Sequence, residues 1–235
     1  SFEEALAIVN GGDCHILWQC GALSEVERSL VYEIARRAGI ALSDSLTYPG
    51  SVGSYWNGRK VSNYLGTRAM YAFSRRVYHF LHTENVRNKK DEQGLFFIKS
   101  KVDQAATPFS EGVLSRKLRI VQVNREGKHF APFTDLAVHM STQVFLERLV
   151  ARLDVQPAIL RKRRAKLAAM NALPTAVPVD CVETIPMAPN YFFHRLSRLT
   201  EDLIETQDYR YIGVFDVGRC GLSAVRNMPL TGPGF

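Results

Sequence analysis

The stretch from His15 to Leu46 constrains the fold more than any other part of the chain. His15-Ile16-Leu17-Trp18-Gln19-Cys20 is a mostly apolar run of strand length, and Gly21 turns the chain after it. Ser24-Glu25-Val26-Glu27 then reads as a capping box, in which a serine and a glutamate satisfy free amides at a helix start. Leu30, Val31, Ile34, Ala35 and Ala38 follow at helical spacing, Gly39 supplies a stop, and Ile40 to Leu46 reads as the next strand. Strand, short loop, capped helix, glycine and strand form the pattern of a right-handed crossover unit in a parallel sheet. The fold class predicted is α/β.

The remaining elements extend that unit. A Gly/Ser/Tyr-rich segment from Thr47 to Gly66 shows no period, and loops of this length are uncommon unless functional. Met70, Phe73, Val77 and Phe80 mark an amphipathic helix, Leu95 to Ile98 and Leu118 to Val123 read as strands, and Asp135 to His139 as an edge strand. Thr142 opens a helix carrying Phe145, Leu146, Leu149, Val150 and Leu153. Residues 1–156 are therefore expected to form a central α/β domain. A basic helix and a segment holding Pro174, Pro178, Pro186 and Pro189 are expected to link it, over 157–189, to a second unit. In 190–235, Asn190 is expected to cap a helix, and Tyr211 to Phe215 to form the first strand of a second α/β domain. The chain stops soon after that strand, at Leu230-Thr231-Gly232-Pro233-Gly234-Phe235, which suggests an interior piece of a longer polypeptide.

At 46% hydrophobic and 23% charged residues, the composition excludes global disorder. Cys14, Cys20, Cys181 and Cys220 form no C-x-x-C pair, so reduced thiols and a cytoplasmic location are expected. No apolar run nears the roughly 18 residues that a membrane span needs. Thirty Lys and Arg against twenty-three Asp and Glu leave +7, which suggests an anionic partner. Arg161, Lys162, Arg163, Arg164 and Lys166 form the densest block, and Arg75, Arg76, Arg87, Lys89 and Lys90 a looser one. Such a block is usually a solvated helix face, and no aromatics interleave with it as on a nucleic-acid platform. Nucleic acid is not the expected partner.

Glycine-rich strand-to-helix turns bind phosphates because bare backbone amides and a helix N-terminus both favour anions. Three turns have these ingredients: Cys20-Gly21-Ala22, Tyr48-Pro49-Gly50-Ser51-Val52-Gly53 and Val217-Gly218-Arg219-Cys220-Gly221. None matches a dinucleotide or Walker fingerprint, and ordinary turn glycines remain the competing reading. In open parallel sheets, ligands gather at the carboxyl ends of strands, where all three would lie. His79 and His82 share a helix face but lack the carboxylate or cysteine that would complete a metal set. No G-x-S-x-G elbow is present, and the residues yield no autonomous catalytic set.

The order of these pieces resembles the thiamine diphosphate-dependent decarboxylase and carboligase superfamily, close in layout to acetolactate synthase. His15 to Ala22 is similar to the strand and glycine turn opening that family's central domain, and Leu65-Gly66-Thr67 to the step before its next helix. Leu95 to Asp103 resembles the following strand and basic segment, and Gly213-Val214-Phe215-Asp216-Val217-Gly218-Arg219-Cys220 the strand and glycine loop that open the pyrophosphate-binding domain. The resemblance implies a central domain of DHS-like NAD/FAD-binding topology, followed by the first helix and strand of the next domain. It implies thiamine diphosphate and Mg²⁺ in the complete enzyme, with Val217, Gly218, Arg219, Cys220 and Gly221 against the diphosphate. Gly21, Ala22 and Lys101 are candidates for contacting FAD or another nucleotide. No catalytic residue and no metal ligand is expected in this chain. Both would come from other segments or chains of a homo-oligomer acting on a 2-keto acid. The alternative is a non-catalytic nucleotide- or FAD-binding module. Asn124-Arg125 departs from the acidic residues common there in relatives, and Arg219-Cys220 from the usual pair in the glycine loop.

Overall fold

The computed structural model describes residues 1–12, 15–68, 74–81, 93–102, 118–174, 183–215 and 218–231. Cys14, Met70, Phe73, His82, Arg87, Lys89, Lys90, Cys181 and Val217 lie outside them. Helix α1 (Phe2–Ala7) runs through a π-helical turn at Ile8–Gly12 toward β1 (His15–Cys20), α2 (Glu25–Ala38) and β2 (Ala41–Asp44). A two-stranded hairpin of β3 (Tyr55–Trp56) and β4 (Arg59–Lys60) precedes α3 (Arg75–Leu81), β5 (Gln93–Ile98) and β6 (Arg119–Asn124). Then come β7 (Leu136–His139), α4 (Thr142–Ala151), α5 (Pro157–Asn171), α6 (Pro189–Gln207) and α7 (Arg219–Asn227). The five main strands pair in the order β2-β1-β5-β6-β7, all parallel.

Burial explains the strand sequences. A parallel sheet covered on both faces favours near-continuous apolar runs. Leu95, Phe96, Phe97 and Ile98 of β5 accordingly all lie in the core. Alternate residues serve opposite layers: Ile16, Trp18 and Cys20 pack with α1, α2 and α4, while Leu17 packs with α3 and α5. Only β7 alternates buried and exposed, as befits a sheet edge. At α2 the capping box is present in full, with the Glu27 amide donating to Ser24 Oγ and the Ser24 amide to Glu27 Oε2. Gly39 closes the helix in the left-handed region. No described helix is long and apolar enough to cross a membrane.

The segment after β2, irregular in sequence, is a folded part of the sheet's edge. Leu42 donates to Asn63 O and accepts from the Leu65 amide, and the Arg68 amide donates to Asp44 O. These bonds occupy the open side of β2, which would otherwise present unpaired groups. Side chains fasten the same segment. Asp44, fully buried, accepts from the Gly50 amide at 2.6 Å and from Tyr64 Oη at 2.9 Å. Ser51 Oγ donates to Cys20 O, Arg28 Nε to Ser51 O, and the Gly53 amide to Tyr32 Oη. Burial raises the Asp44 carboxyl to about 7, against its three hydrogen-bonded neighbours Gly50, Thr67 and Tyr64, which lower it.

Several expectations need correction. The basic block is not a uniformly solvated face, because Arg163 is 1% exposed. Its guanidinium donates to Val9 O at 2.8 Å and to Ala38 O at 3.0 Å, joining α5 to the end of α2 and to the π-helical turn. Leu167 and Met170 of α5 lie in the core under the sheet, so this helix packs with the sheet. Helix α6 starts earlier than expected, with Ala188 at its N-cap and Pro189 in its first turn, where a missing amide costs nothing. Asn190 lies inside it. Tyr211 to Phe215 forms no strand, so the expected helix and strand of a second α/β domain are here two helices without a strand. A strand needs a lateral partner, and no described residue supplies one. Tyr211 and Phe215 instead pack on Phe193, Ala224 and Met228, while Ile212 and Val214 are 83% and 90% exposed.

Replacing Arg163 by Met leaves buried carbonyls without a donor and should cost on the order of 3 kcal/mol. Arg161→Met, on the exposed side of the same helix, should stay within about 0.5 kcal/mol of the parent. Urea unfolding of both variants checks this. Asp44 sets a pH dependence. Its folded value near 7 exceeds the ordinary 3.8, so between these pH values the folded state holds a proton that the unfolded chain has lost. Its contribution to stability is therefore full below the ordinary value and falls as pH rises through about 7, by roughly 2–4 kcal/mol. Unfolding midpoints at pH 5 and pH 8 should differ less in Asp44→Asn than in the parent.

Candidate functional site

The chain leaves β1 for β2 on one side and reaches β5 on the other, so the sheet's topological switch point lies between the carboxyl ends of β1 and β5. Gly21, Ala22 and Lys101 are all brought to this end of the sheet, and Ala22 and Lys101 are exposed. Gly21 is there for a close approach: a Cβ at this position would sit 2.1 Å from Lys99 O, and its amide donates to Ile98 O. The N-terminus of α2 beside it already holds an anion. The Glu27 carboxylate caps the Ser24 amide and pairs with Lys99 Nζ at 2.9 Å. In the Tyr48 to Gly53 turn, the Gly50 and Gly53 amides are likewise taken, by Asp44 and Tyr32.

The third glycine turn is arranged differently. Gly218 is the N-cap of α7, with φ 120° and ψ −152°, a conformation that side chains disfavour. Arg219, Cys220 and Gly221 form the first turn of the helix rather than a loop. Among the described residues no side chain is seen to cap this end, and the first intrahelical bond runs from the Leu222 amide to Gly218 O. A Cβ on Gly218 would meet nothing within 4 Å. The first amides of a helix lack intrahelical partners and lie at its positive end, which favours an anionic group. Val217 lies outside the described residues.

A cleft of about 770 Å³ opens between the segment after β2 and the α6–α7 pair. Tyr64, Thr67 and Arg76 line one wall, and Arg198, Glu201 and Asn227 the other. The walls are joined where Tyr55 Oη donates to Glu205 Oε1 at 2.6 Å and where the Tyr55 amide donates to Leu230 O. Arg76 is held in place by three donations, to Leu173 O, Asn171 O and Asn171 Oδ1. Burial lowers its pKa while the Glu201 charge raises it. Asn227 donates to Ser223 O and Asn190 Oδ1, and its own Oδ1 is buried with no partner among the described residues.

None of the glycine-turn residues proposed to bind phosphate or nucleotide lines this cleft, but the irregular segment from Thr47 to Gly66, expected to be functional, supplies much of one wall, and Arg76 belongs to the looser basic group. Sequence reasoning also missed the buried polar residues at the carboxyl end of the sheet. Arg68 is 1% exposed, donates to Gln19 Oε1 at 3.1 Å and lies over the Phe97 ring. Its Nε has no partner among the described residues, and burial lowers its pKa to about 9. The visible signal was a polar residue interrupting an apolar strand, as Gln19 and Asp44 do. Burial pushes the Cys20 thiol up, away from nucleophilic chemistry. Among the described residues no three His, Cys, Asp or Glu side chains are grouped to hold a metal.

Comparison with known proteins adds an independent line. The chain is 47% identical, over all 235 residues, to the thiamine diphosphate dependent-3-acetyloctanal synthase PigD of Serratia marcescens, covering 26% of that protein. It is 46% identical over its whole length to the protein of the same name from Serratia sp. (strain ATCC 39006), covering 27% of it. The chain thus spans about a quarter of the length of these curated relatives. Residues 180–235 match the family model described as biosynthesis protein PigD C-terminal domain. With residues 1–170 matched as well, the chain belongs to the family described as biosynthesis protein PigD third domain.

Proposed function

We propose that this chain is part of a thiamine diphosphate-dependent carboligase, and that the N-terminus of α7 holds the cofactor's diphosphate. The observation that carries this reading is the helix start at Gly218, which no described side chain caps and where an added Cβ would meet nothing within 4 Å. The relatives' names supply the cofactor class, since both are called thiamine diphosphate dependent. Backbone amides of Arg219, Cys220 and Gly221 would receive the diphosphate oxygens, and the helix dipole would favour their charge. When bound, thiamine diphosphate supplies carbanion stabilisation for carbon–carbon bond chemistry, while protein groups bind and orient. On this reading the substrate is a 2-keto acid donor, handled as in acetolactate synthase, with transfer to a carbonyl acceptor.

The α6–α7 pair would then be the opening of a pyrophosphate-binding domain, and the sheet domain a DHS-like central domain. Mg²⁺ would reach the diphosphate on ligands from elsewhere in the protein or from a second copy. FAD and other nucleotides do not enter this proposal, because Glu27 and Lys99 already pair at the α2 N-terminus beside the switch point.

Gly218→Val tests the reading. A β-branched residue strains this backbone conformation by about 1–3 kcal/mol and so shifts the helix start away from it. Cofactor affinity of the intact protein, followed by titrating activity with thiamine diphosphate, should weaken roughly tenfold or more, given tenfold per 1.4 kcal/mol. The same strain should lower the unfolding midpoint by only a few degrees, leaving the variant folded at assay temperature. Unchanged affinity in a stably folded variant overturns the assignment.

A further inference from the structure

We infer that the cleft between the segment after β2 and the α6–α7 pair binds a small organic anion: a carboxylate or phosphate ester that also carries an N–H or O–H donor. The cleft's lining is basic, with Lys60, Arg76, Arg198 and Arg226 against the single carboxylate of Glu201. Lys60 lies 3.8 Å from Glu205, which matches its charge. Arg76 is different. Its nitrogens donate to two carbonyls and an amide oxygen, so its hydrogen bonds are met by neutral groups, and the Glu201 charge acts on it without forming an ion pair among the described residues. Arg198 is exposed on α6, one turn before Glu201, and among the described residues it makes no ion pair. A cation fixed by neutral acceptors at a cleft wall favours an incoming anion, because the anion regains Coulombic energy without reorganising the site.

Asn227 supplies the second, independent observation. It lines the cleft and is nine-tenths buried, both donations of its amide nitrogen are placed, and its Oδ1 is buried without a partner among the described residues. A buried acceptor left unmade costs about 1–3 kcal/mol, which a ligand N–H or O–H would recover. The volume of about 770 Å³ is within the range of small-molecule sites. This site does not depend on the cofactor proposal. Asn227 ends the nine-residue helix that Arg219 begins, so the two lie roughly 12 Å apart along the helix.

Calorimetric titration of the intact protein tests the inference, with thiamine diphosphate and Mg²⁺ supplied first so that any cofactor site is filled. Lactate is the carboxylate probe and glycerol 3-phosphate the phosphate probe, each with a hydroxyl donor. Binding of either supports the site, and which one binds names the anion. The affinity of the probe that binds should fall roughly tenfold in Arg198→Glu, where a nearby charge is reversed, and stay unchanged in Arg161→Glu on the exposed side of α5. Failure of both probes to bind, or equal binding in Arg198→Glu and parent, overturns the inference.

Discussion

Everything at the functional end of this molecule depends on how the open side of β2 is satisfied. A parallel sheet buried on both faces leaves its edge strand with backbone groups that need partners. Here residues 63–68 supply them, through Leu42 and Asp44, and so become fixed to the sheet. Tyr64 and Thr67 are carried with them into the wall of the cleft. The Asp44 carboxyl is the fastener. It joins Gly50 to Tyr64, and its burial holds its proton to an unusually high pH. The cost of burying this carboxyl is offset by the hydrogen bonds it accepts from Gly50 and Tyr64.

The same economy of partners distinguishes the three glycine turns. At α2 and in the Tyr48 to Gly53 turn, protein side chains already occupy the amides or the helix end, and these turns hold the fold together. At Gly218 no described side chain does so. A helix start without such a cap fits a ligand's charge better than one filled by the chain itself.

Much of the sheet was legible because its signals are local. The capping box at Ser24 and Glu27, the stop at Gly39 and the apolar runs at Ile16, Leu95 and Ile120 each act over a few residues, and each appears where its spacing placed it. What failed depended on distant partners. Arg163 looked like one more solvated cation, and only the fold brings Val9 O and Ala38 O to it. Tyr211 to Phe215 carries a strand's alternation without a strand's neighbour, so the pattern survives in which side chains are buried while the pairing does not. The cleft was only half visible, through the irregular segment that ends at Gly66, for a related reason. Arg76, Arg198 and Asn227 are far apart in sequence and belong to no motif.

Hydrogen exchange of the intact protein, with and without thiamine diphosphate and Mg²⁺, tests the central claim most directly. Amides at the start of α7, from Arg219 to Leu222, should become protected when the cofactor binds, because they would donate to its diphosphate. Cofactor binding that leaves those amides exchanging as before, with protection only in other segments, would contradict the account.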